Sequence, residues 1–143
     1  MRPTDGDLAG VHVLLVDDTE DVLEMFGSYL RYVGAVVTLA RNGSEALACL
    51  AQARAHVIVT DLAMPGMGGV EFVARLLGSR EQDQAPPPVI AVTAFADQYS
   101  DARMAEAGFR SYLVKPVQPA RLALEIRRIY DFTYGLEGDG RGA

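Results

Sequence analysis

The sequence has one cysteine, few basic residues and no long apolar run, and each shortage excludes a class of protein. Cys49 alone cannot form an internal disulfide, and its apolar neighbours Ala46 and Leu47 predict a buried, inert thiol. The net charge of −6, without any basic cluster, argues against a nucleic-acid partner. The longest uncharged run, residues 85–96, contains three prolines and is too short to span a bilayer. We therefore expect a cytoplasmic protein that binds neither membranes nor nucleic acids.

What the sequence does have is apolar content: half of its 143 residues, enough for one domain with a packed core. Residues 1–10 are polar and predict a flexible leader. Residues 11–131 carry a regular pattern and predict the domain, and the glycine-rich residues 132–143 predict a flexible tail. Whether the protein acts alone or as part of a longer chain is left open.

Within residues 11–131, short apolar runs alternate with segments of helical periodicity. The short runs predict strands buried on both faces, and the longer segments, with apolar residues three and four apart, predict amphipathic helices. Right-handed connections between such elements produce a parallel sheet covered by helices on both faces. The predicted strands are 11–16, 35–40, 56–60, 88–93 and 111–114, and the predicted helices are 19–33, 46–51, 70–77, 98–107 and 119–130.

Polar side chains with complementary chemistry stand at the carboxyl ends of four of the five predicted strands. Asp17 and Asp18 follow the first strand, Asp61 the third, Thr93 the fourth and Lys115 the fifth. If these strands are neighbours, the five side chains converge on one edge of the sheet. Three carboxylates suit Mg²⁺, and one of them could instead form an acyl phosphate whose oxygens the cation, the ammonium and the hydroxyl would neutralise.

These segments together make the sequence resemble the receiver domain of bacterial response regulators, over roughly residues 11–131. The resemblance implies a flavodoxin-like (βα)5 three-layer sandwich whose parallel five-stranded sheet has the order 2-1-3-4-5. It also implies a partner, a histidine kinase or phosphotransfer protein that donates a phosphoryl group. The matching segments are Leu15–Asp18, Asp61–Gly69, Thr93–Ala94 and Tyr112–Pro116.

The resemblance assigns a role to each acidic residue of the edge. Asp61 is implied to be the phosphoacceptor, and Asp18 and Asp61 to be direct carboxylate ligands of Mg²⁺. The backbone carbonyl of Ala63 is implied to be a further ligand, and Asp17 to act mainly through a bound water.

The resemblance also implies a switch. Thr93 and Lys115 would hold the phosphoryl oxygens, and a cis peptide bond would join Lys115 to Pro116. Tyr112 matches the aromatic switch position, which turns inward after phosphorylation. The surface formed by the fourth helix, fifth strand and fifth helix would then change shape for a downstream target. Dimerisation is left open.

The side chains of four residues lead to further predictions. Ala63 and Phe95 stand two positions after Asp61 and Thr93, where the family tunes the lifetime of the phosphate, and they predict slow self-dephosphorylation. His12 and His56 lack partners at metal-ligand spacing and predict structural roles.

Three rival functions stay open. A Mg²⁺-dependent phosphohydrolase or phosphotransferase could use Asp61 catalytically, although no additional acid–base residue is evident near the strand ends. A nucleotide or flavin binder would need a phosphate loop after the first strand, where Asp17 and Asp18 would repel a phosphate. The chain could also be the receiver fragment of a hybrid histidine kinase. We favour a phosphoacceptor that is not an enzyme, although it assists its own phosphorylation and dephosphorylation.

Overall fold

In the computed structural model, which describes residues 7–79, 85–94 and 100–135, strands and helices alternate along the described ranges. None of the helices in these ranges is both long and apolar enough to cross a membrane. The elements are β1 (His12–Val16), α1 (Glu20–Tyr32), β2 (Val36–Ala40), α2 (Gly43–Gln52), β3 (Val57–Asp61), α3 (Gly69–Gly78), β4 (Val89–Thr93), α4 (Asp101–Ala107), β5 (Ser111–Val114) and α5 (Pro119–Tyr134).

The five strands form one parallel sheet in the order β2-β1-β3-β4-β5, which confirms the predicted fold. β1 lies one strand in from an edge, and β2 forms that edge. The chain then returns past β1 and adds β3, β4 and β5 in order on the other side. β3 and β4 are buried along their whole length, including the polar residues at their carboxyl ends, Thr60, Asp61 and Thr93. All five carboxyl ends therefore point to the same edge of the sheet.

The helices cover the two faces of the sheet and create two cores. Successive residues of a strand point to opposite faces, so Val13 and Leu15 pack against α1 and α5, whereas Leu14 and Val16 pack on the side of α2, α3 and α4. Phe72 of α3 is completely buried in this second core. Cys49 packs at its margin and is only half-buried, which corrects the prediction of a buried thiol.

Side-chain caps set the starts of two helices. At α2, Asn42 accepts a hydrogen bond from the Glu45 backbone N–H at 2.8 Å, and the Glu45 carboxylate accepts one from the Arg41 N–H at 2.8 Å. At α4, the Ser100 hydroxyl accepts a hydrogen bond from the Arg103 N–H at 3.1 Å. Because Ser100 caps the helix in an extended conformation, α4 starts at Asp101; the predicted start at residue 98 lies outside the described residues.

Segments on both sides of the predicted domain pack against it. Leu8 is completely buried in the core beside α1 and α5, and the Asp7 carbonyl accepts a hydrogen bond from Arg127 at 2.8 Å. α5 continues past residue 131 to Tyr134, whose hydroxyl donates to the His56 carbonyl at 2.7 Å. The described end of the leader is thus packed, and the division into leader, domain and tail stays a prediction.

His12 and His56 meet at the amino-terminal edge of the sheet, opposite the strand ends discussed below. The His12 backbone N–H donates to His56 Nδ1 at 2.9 Å, and the His56 ring lies edge-on to Tyr130 with 5.3 Å between ring centres. Burial lowers the pKa of His56, and the nearby charges of His12 and Arg54 lower it further. These contacts agree with structural roles for both histidines.

Candidate functional site

A single lysine joins two acidic strand ends at the carboxyl edge of the sheet. Lys115 Nζ lies 3.3 Å from Asp61 Oδ2 and 3.5 Å from Asp17 Oδ2. Lys115 is the only lysine of the sequence, and it follows β5 directly. Its backbone N–H donates to the Thr93 carbonyl at 2.8 Å, and its peptide bond to Pro116 is cis, as the resemblance implies. Residues from the first, third and fifth strands therefore meet, as their sequence positions predict.

Asp18 completes an acidic cluster with these two carboxylates. One carboxylate oxygen from each of Asp17, Asp18 and Asp61 lies within 4.8 Å of the others. Asp17 and Asp61 are buried, whereas Asp18 is exposed. Hard oxygen donors around a partly open position suit Mg²⁺, which keeps several of its waters. The residues present therefore fit the predicted cation.

Electrostatics at the cluster favour a cation as well. Burial raises the pKa of the Asp17 carboxyl, while the Thr19 N–H, which donates to it at 2.9 Å, and the charge of Lys115 oppose the rise. The negative charges of Asp61 and Asp18 raise the pKa further. One ammonium thus faces three carboxylates, and a bound divalent cation would balance the remaining negative charge.

The loop after β3 folds tightly around Asp61. The Ala63 N–H donates to Asp61 Oδ1 at 3.3 Å, and the Gly69 N–H donates to the Leu62 carbonyl at 3.0 Å. A Cβ atom added at Gly69 would lie only 2.5 Å from the Asp61 carbonyl oxygen. Gly69 therefore lets α3 start directly against the backbone of Asp61. In the sequence, Gly69 stands out only as the last residue of the matching segment Asp61–Gly69. A further signal is that it is the second of two adjacent glycines directly before a predicted helix.

Thr93 and Tyr112 are not members of the acidic cluster. Thr93 is completely buried and stands one residue beyond Val92, the register partner of Asp61. Tyr112 is half-buried, and its hydroxyl donates to Asp101 Oδ1 at 2.6 Å. This hydrogen bond raises the pKa of Tyr112.

Asp101 and Phe95 are the two residues at which the sequence predictions and the structure do not meet. Asp101, which accepts from the Tyr112 hydroxyl, was not predicted, because nothing in its local sequence indicates a tyrosine eleven residues later. Phe95, predicted to shield the phosphate, lies outside the described residues.

Comparison with known proteins relates this chain to one family. The family model of the response regulator receiver domain matches residues 13–127. A 14.6 kDa protein from Leptolyngbya boryana is 38% identical over 116 residues, which cover 80% of this chain and 86% of that protein. The chain spans about half the length of other curated relatives, 47–50% of response regulators and transcriptional regulators that are 28–30% identical to it.

Solved structures agree with the family match. The chemotaxis response regulator CheY4 of Vibrio cholerae has 33% identity and a TM-score of 0.73, covering 83% of this chain and 98% of that one. The receiver domain of Ssk1 from Saccharomyces cerevisiae, solved with the histidine phosphotransfer protein Ypd1, has 28% identity and a TM-score of 0.79, covering 91% and 95%. With its sheet order, its acidic edge and these matches in agreement, the chain belongs to the receiver domain family of two-component response regulators.

Proposed function

We propose that Asp61 accepts a phosphoryl group from the phosphohistidine of a histidine kinase or a phosphotransfer protein. The observation that carries this proposal is the position of Lys115 Nζ, 3.3 Å from Asp61 and 3.5 Å from Asp17 at one edge of the sheet. The relative solved with a histidine phosphotransfer protein supports this class of partner. A cytoplasmic location remains the expectation from composition.

Mg²⁺ is the proposed cofactor of this reaction. Asp18 and Asp61 would bind it directly, with the Ala63 carbonyl, and Asp17 would bind through a water. Mg²⁺ held there supplies positive charge beside the phosphoryl oxygens. The acidic cluster supports this assignment, because its oxygens already lie within 4.8 Å of one another.

The chain's own residues carry the transfer. An Asp61 carboxylate oxygen attacks phosphorus, an O–P bond forms, and the P–N bond to the donor histidine breaks with its electron pair returning to the imidazole. The Lys115 ammonium, which pairs with Asp61 before the reaction, then binds a phosphoryl oxygen. The Thr93 hydroxyl donates to another phosphoryl oxygen. Positioning and charge compensation are therefore the main contributions of the protein.

The phosphoryl group switches a docking surface formed by α4, β5 and α5. As Thr93 moves toward the phosphoryl group, it leaves space into which the ring of Tyr112 turns. That movement breaks the hydrogen bond from Tyr112 to Asp101, the first residue of α4. Phosphorylation at one edge of the sheet thereby changes the surface offered to a downstream protein. A homodimer through this surface is not required by the proposal.

This switch differs from its enzymatic rival in stoichiometry. Incubation with Mg²⁺ and acetyl phosphate, followed by intact mass spectrometry, is expected to add one phosphoryl group to the wild type. Asp61→Asn should gain none, and neither should the wild type in the presence of a chelator. Repeated turnover of small phosphate esters without a stable adduct would instead favour the phosphohydrolase.

The predicted lifetime of the adduct rests on the residue types that flank the site. Ala63 is exposed and offers no polar side-chain atom that could orient a hydrolytic water toward Asp61. We expect slow self-dephosphorylation, and Phe95→Ser should accelerate it. An unchanged half-life in this variant would discard the role proposed for Phe95.

A further inference from the structure

A groove with a volume of about 480 Å³ lies between α4 and α5 on the outer side of β5. Residues from all three elements line it, so it belongs to the surface that the proposed function assigns to a downstream protein. The inference that follows rests on that proposed function. Among its lining residues are Met104, Phe109, Ser111, Arg121, Glu125 and Arg128.

The floor of the groove holds a buried carboxylate. Glu125 is 4% exposed, and it accepts hydrogen bonds from the Ser111 hydroxyl, from Arg121 Nη1 at 3.3 Å and from Arg128 Nη2 at 2.6 Å. Burial alone would raise its pKa, but the hydrogen bonds from Arg128 and Ser111 lower the pKa of Glu125 to about 2. Glu125 is therefore ionised at neutral pH, and its charge is compensated inside the protein.

Glu125 in turn orients two arginines that face solvent. The side chains of Arg121 and Arg128 are 53% and 63% exposed, although both guanidinium groups contact the buried carboxylate. A guanidinium has five N–H donors in a planar arrangement, and Glu125 uses only one or two of them on each arginine. Because Glu125 fixes both side chains, little conformational entropy remains to be lost when a ligand binds the other donors.

The accessible charge of the groove is positive. Three arginines line it, since Arg110 joins Arg121 and Arg128, and among the described residues only Asp101 and Glu125 oppose them. Glu125 is already paired with two of these arginines, and three positive charges against two negative ones leave the lining with a net charge of +1. A positive groove on a protein with a net charge of −6 is a local feature that selects a negatively charged partner.

We propose that this groove binds an acidic segment of the downstream protein, with carboxylates of the segment paired to Arg121 and Arg128. These arginines are seven residues apart on α5, which places them about 10 Å apart along the helix axis. Because both guanidinium groups contact the same carboxylate, their ends lie closer together than this. Side chains two residues apart in an extended peptide share one face and lie about 7 Å apart. Two carboxylates at that spacing can therefore engage both guanidinium groups, each with the paired hydrogen bonds that arginine and carboxylate form.

The test uses the full chain and two synthetic peptides that differ only in charge. The acidic probe is acetyl-Ser-Glu-Leu-Glu-Ser-amide, carrying a fluorophore, and the control probe has glutamine at both glutamate positions. Fluorescence anisotropy is measured with Mg²⁺ and acetyl phosphate present. The wild type is expected to bind the acidic probe at least about tenfold more tightly than the control probe, and added salt should weaken this preference.

Variants then locate the binding. Arg121→Gln with Arg128→Gln should weaken binding of the acidic probe at least about tenfold, whereas Arg75→Gln, which removes an equally exposed arginine from α3, should change it less than about twofold. The double variant leaves the buried Glu125 carboxylate without its two arginine partners and could be unstable. In that case the comparison of the two probes on wild-type protein decides whether the groove selects negative charge.

Intact mass spectrometry of the same samples separates this inference from the proposed function. If Asp61 carries a phosphoryl group but the two probes bind equally well, the inference is overturned and the proposed function stands. Absence of the phosphoryl group would count against the proposed function. Self-association that the double variant abolishes, without any preference for the acidic probe, would assign the groove to a second copy and would also overturn the inference.

Discussion

Replacement of Gly69 by alanine tests how tightly the loop after β3 holds the backbone of Asp61. The added Cβ would lie 2.5 Å from the Asp61 carbonyl oxygen and 3.0 Å from Leu62 Cα. Both atoms belong to the backbone, so the contact cannot be relieved by rotating a side chain. Overpacking of this kind costs about 1–3 kcal/mol, and we expect Gly69→Ala to lower the free energy of unfolding by that amount.

Gly78, the last residue of the same helix, provides a matched control. A Cβ atom added there meets nothing within 4 Å, so Gly78→Ala should be neutral or stabilise the protein by about 0.5–1 kcal/mol. Urea unfolding followed by circular dichroism measures both variants. The free energies of unfolding of the two variants should differ by about 1–4 kcal/mol.

The rate of phosphorylation gives a second measurement, which connects the close contact at Gly69 to the site. Displacement of the Asp61 backbone should slow phosphorylation of Gly69→Ala by acetyl phosphate relative to Gly78→Ala. Equal stability and equal rates in the two variants would refute the reasoning that Gly69 is required by close contact with Asp61.

Three further predictions concern the charged groups. The depressed pKa of Glu125 stabilises the fold above about pH 4.5 by at most about 3 kcal/mol, and by less after solvent screening at the exposed guanidiniums; this stabilisation is lost as the pH falls toward 2. In urea unfolding, the difference in free energy of unfolding between wild type and Glu125→Gln should therefore narrow from pH 6 to pH 3. A difference that stays constant over this range would contradict the prediction. Asp101→Ala should lower the pKa of Tyr112 toward its ordinary value, as followed by NMR titration of labelled tyrosine rings, and an unshifted titration would show that the hydrogen bond is not formed in solution. Lys115→Met removes a positive charge that repels Mg²⁺, so calorimetry should find binding about three- to tenfold tighter, and weaker binding would argue that the lysine does not face the cation.

Much of the site could be predicted because its residues occupy a repeated position in the chain. Each strand is an apolar run with a clear end, and the polar residue at that end must lie at one edge of a parallel sheet. Asp17, Asp61 and Lys115 therefore converge although up to 98 residues separate them, the difference between positions 115 and 17. The sheet order came from the resemblance, since alternation alone does not determine which strands are neighbours.

Features that depend on contacts between side chains of different elements could not be predicted. The hydrogen bond between Tyr112 and Asp101 and the group around Glu125 join residues eleven and fourteen positions apart, in elements whose relative orientation the sequence does not state. The burial of Leu8 could not be predicted from local pattern either. It is completely buried, but a single apolar residue in a polar segment gives no periodicity.

The identity of the phosphorylated carboxylate tests the central claim most directly. After reaction with acetyl phosphate and Mg²⁺, borohydride reduces an acyl phosphate to the alcohol, which converts the modified aspartate to homoserine. Peptide mass spectrometry then locates the homoserine in the sequence. The account predicts homoserine at position 61, with Asp17 and Asp18 intact. Homoserine at position 17 or 18, or none at all under conditions in which the intact protein has gained a phosphoryl group, would contradict it.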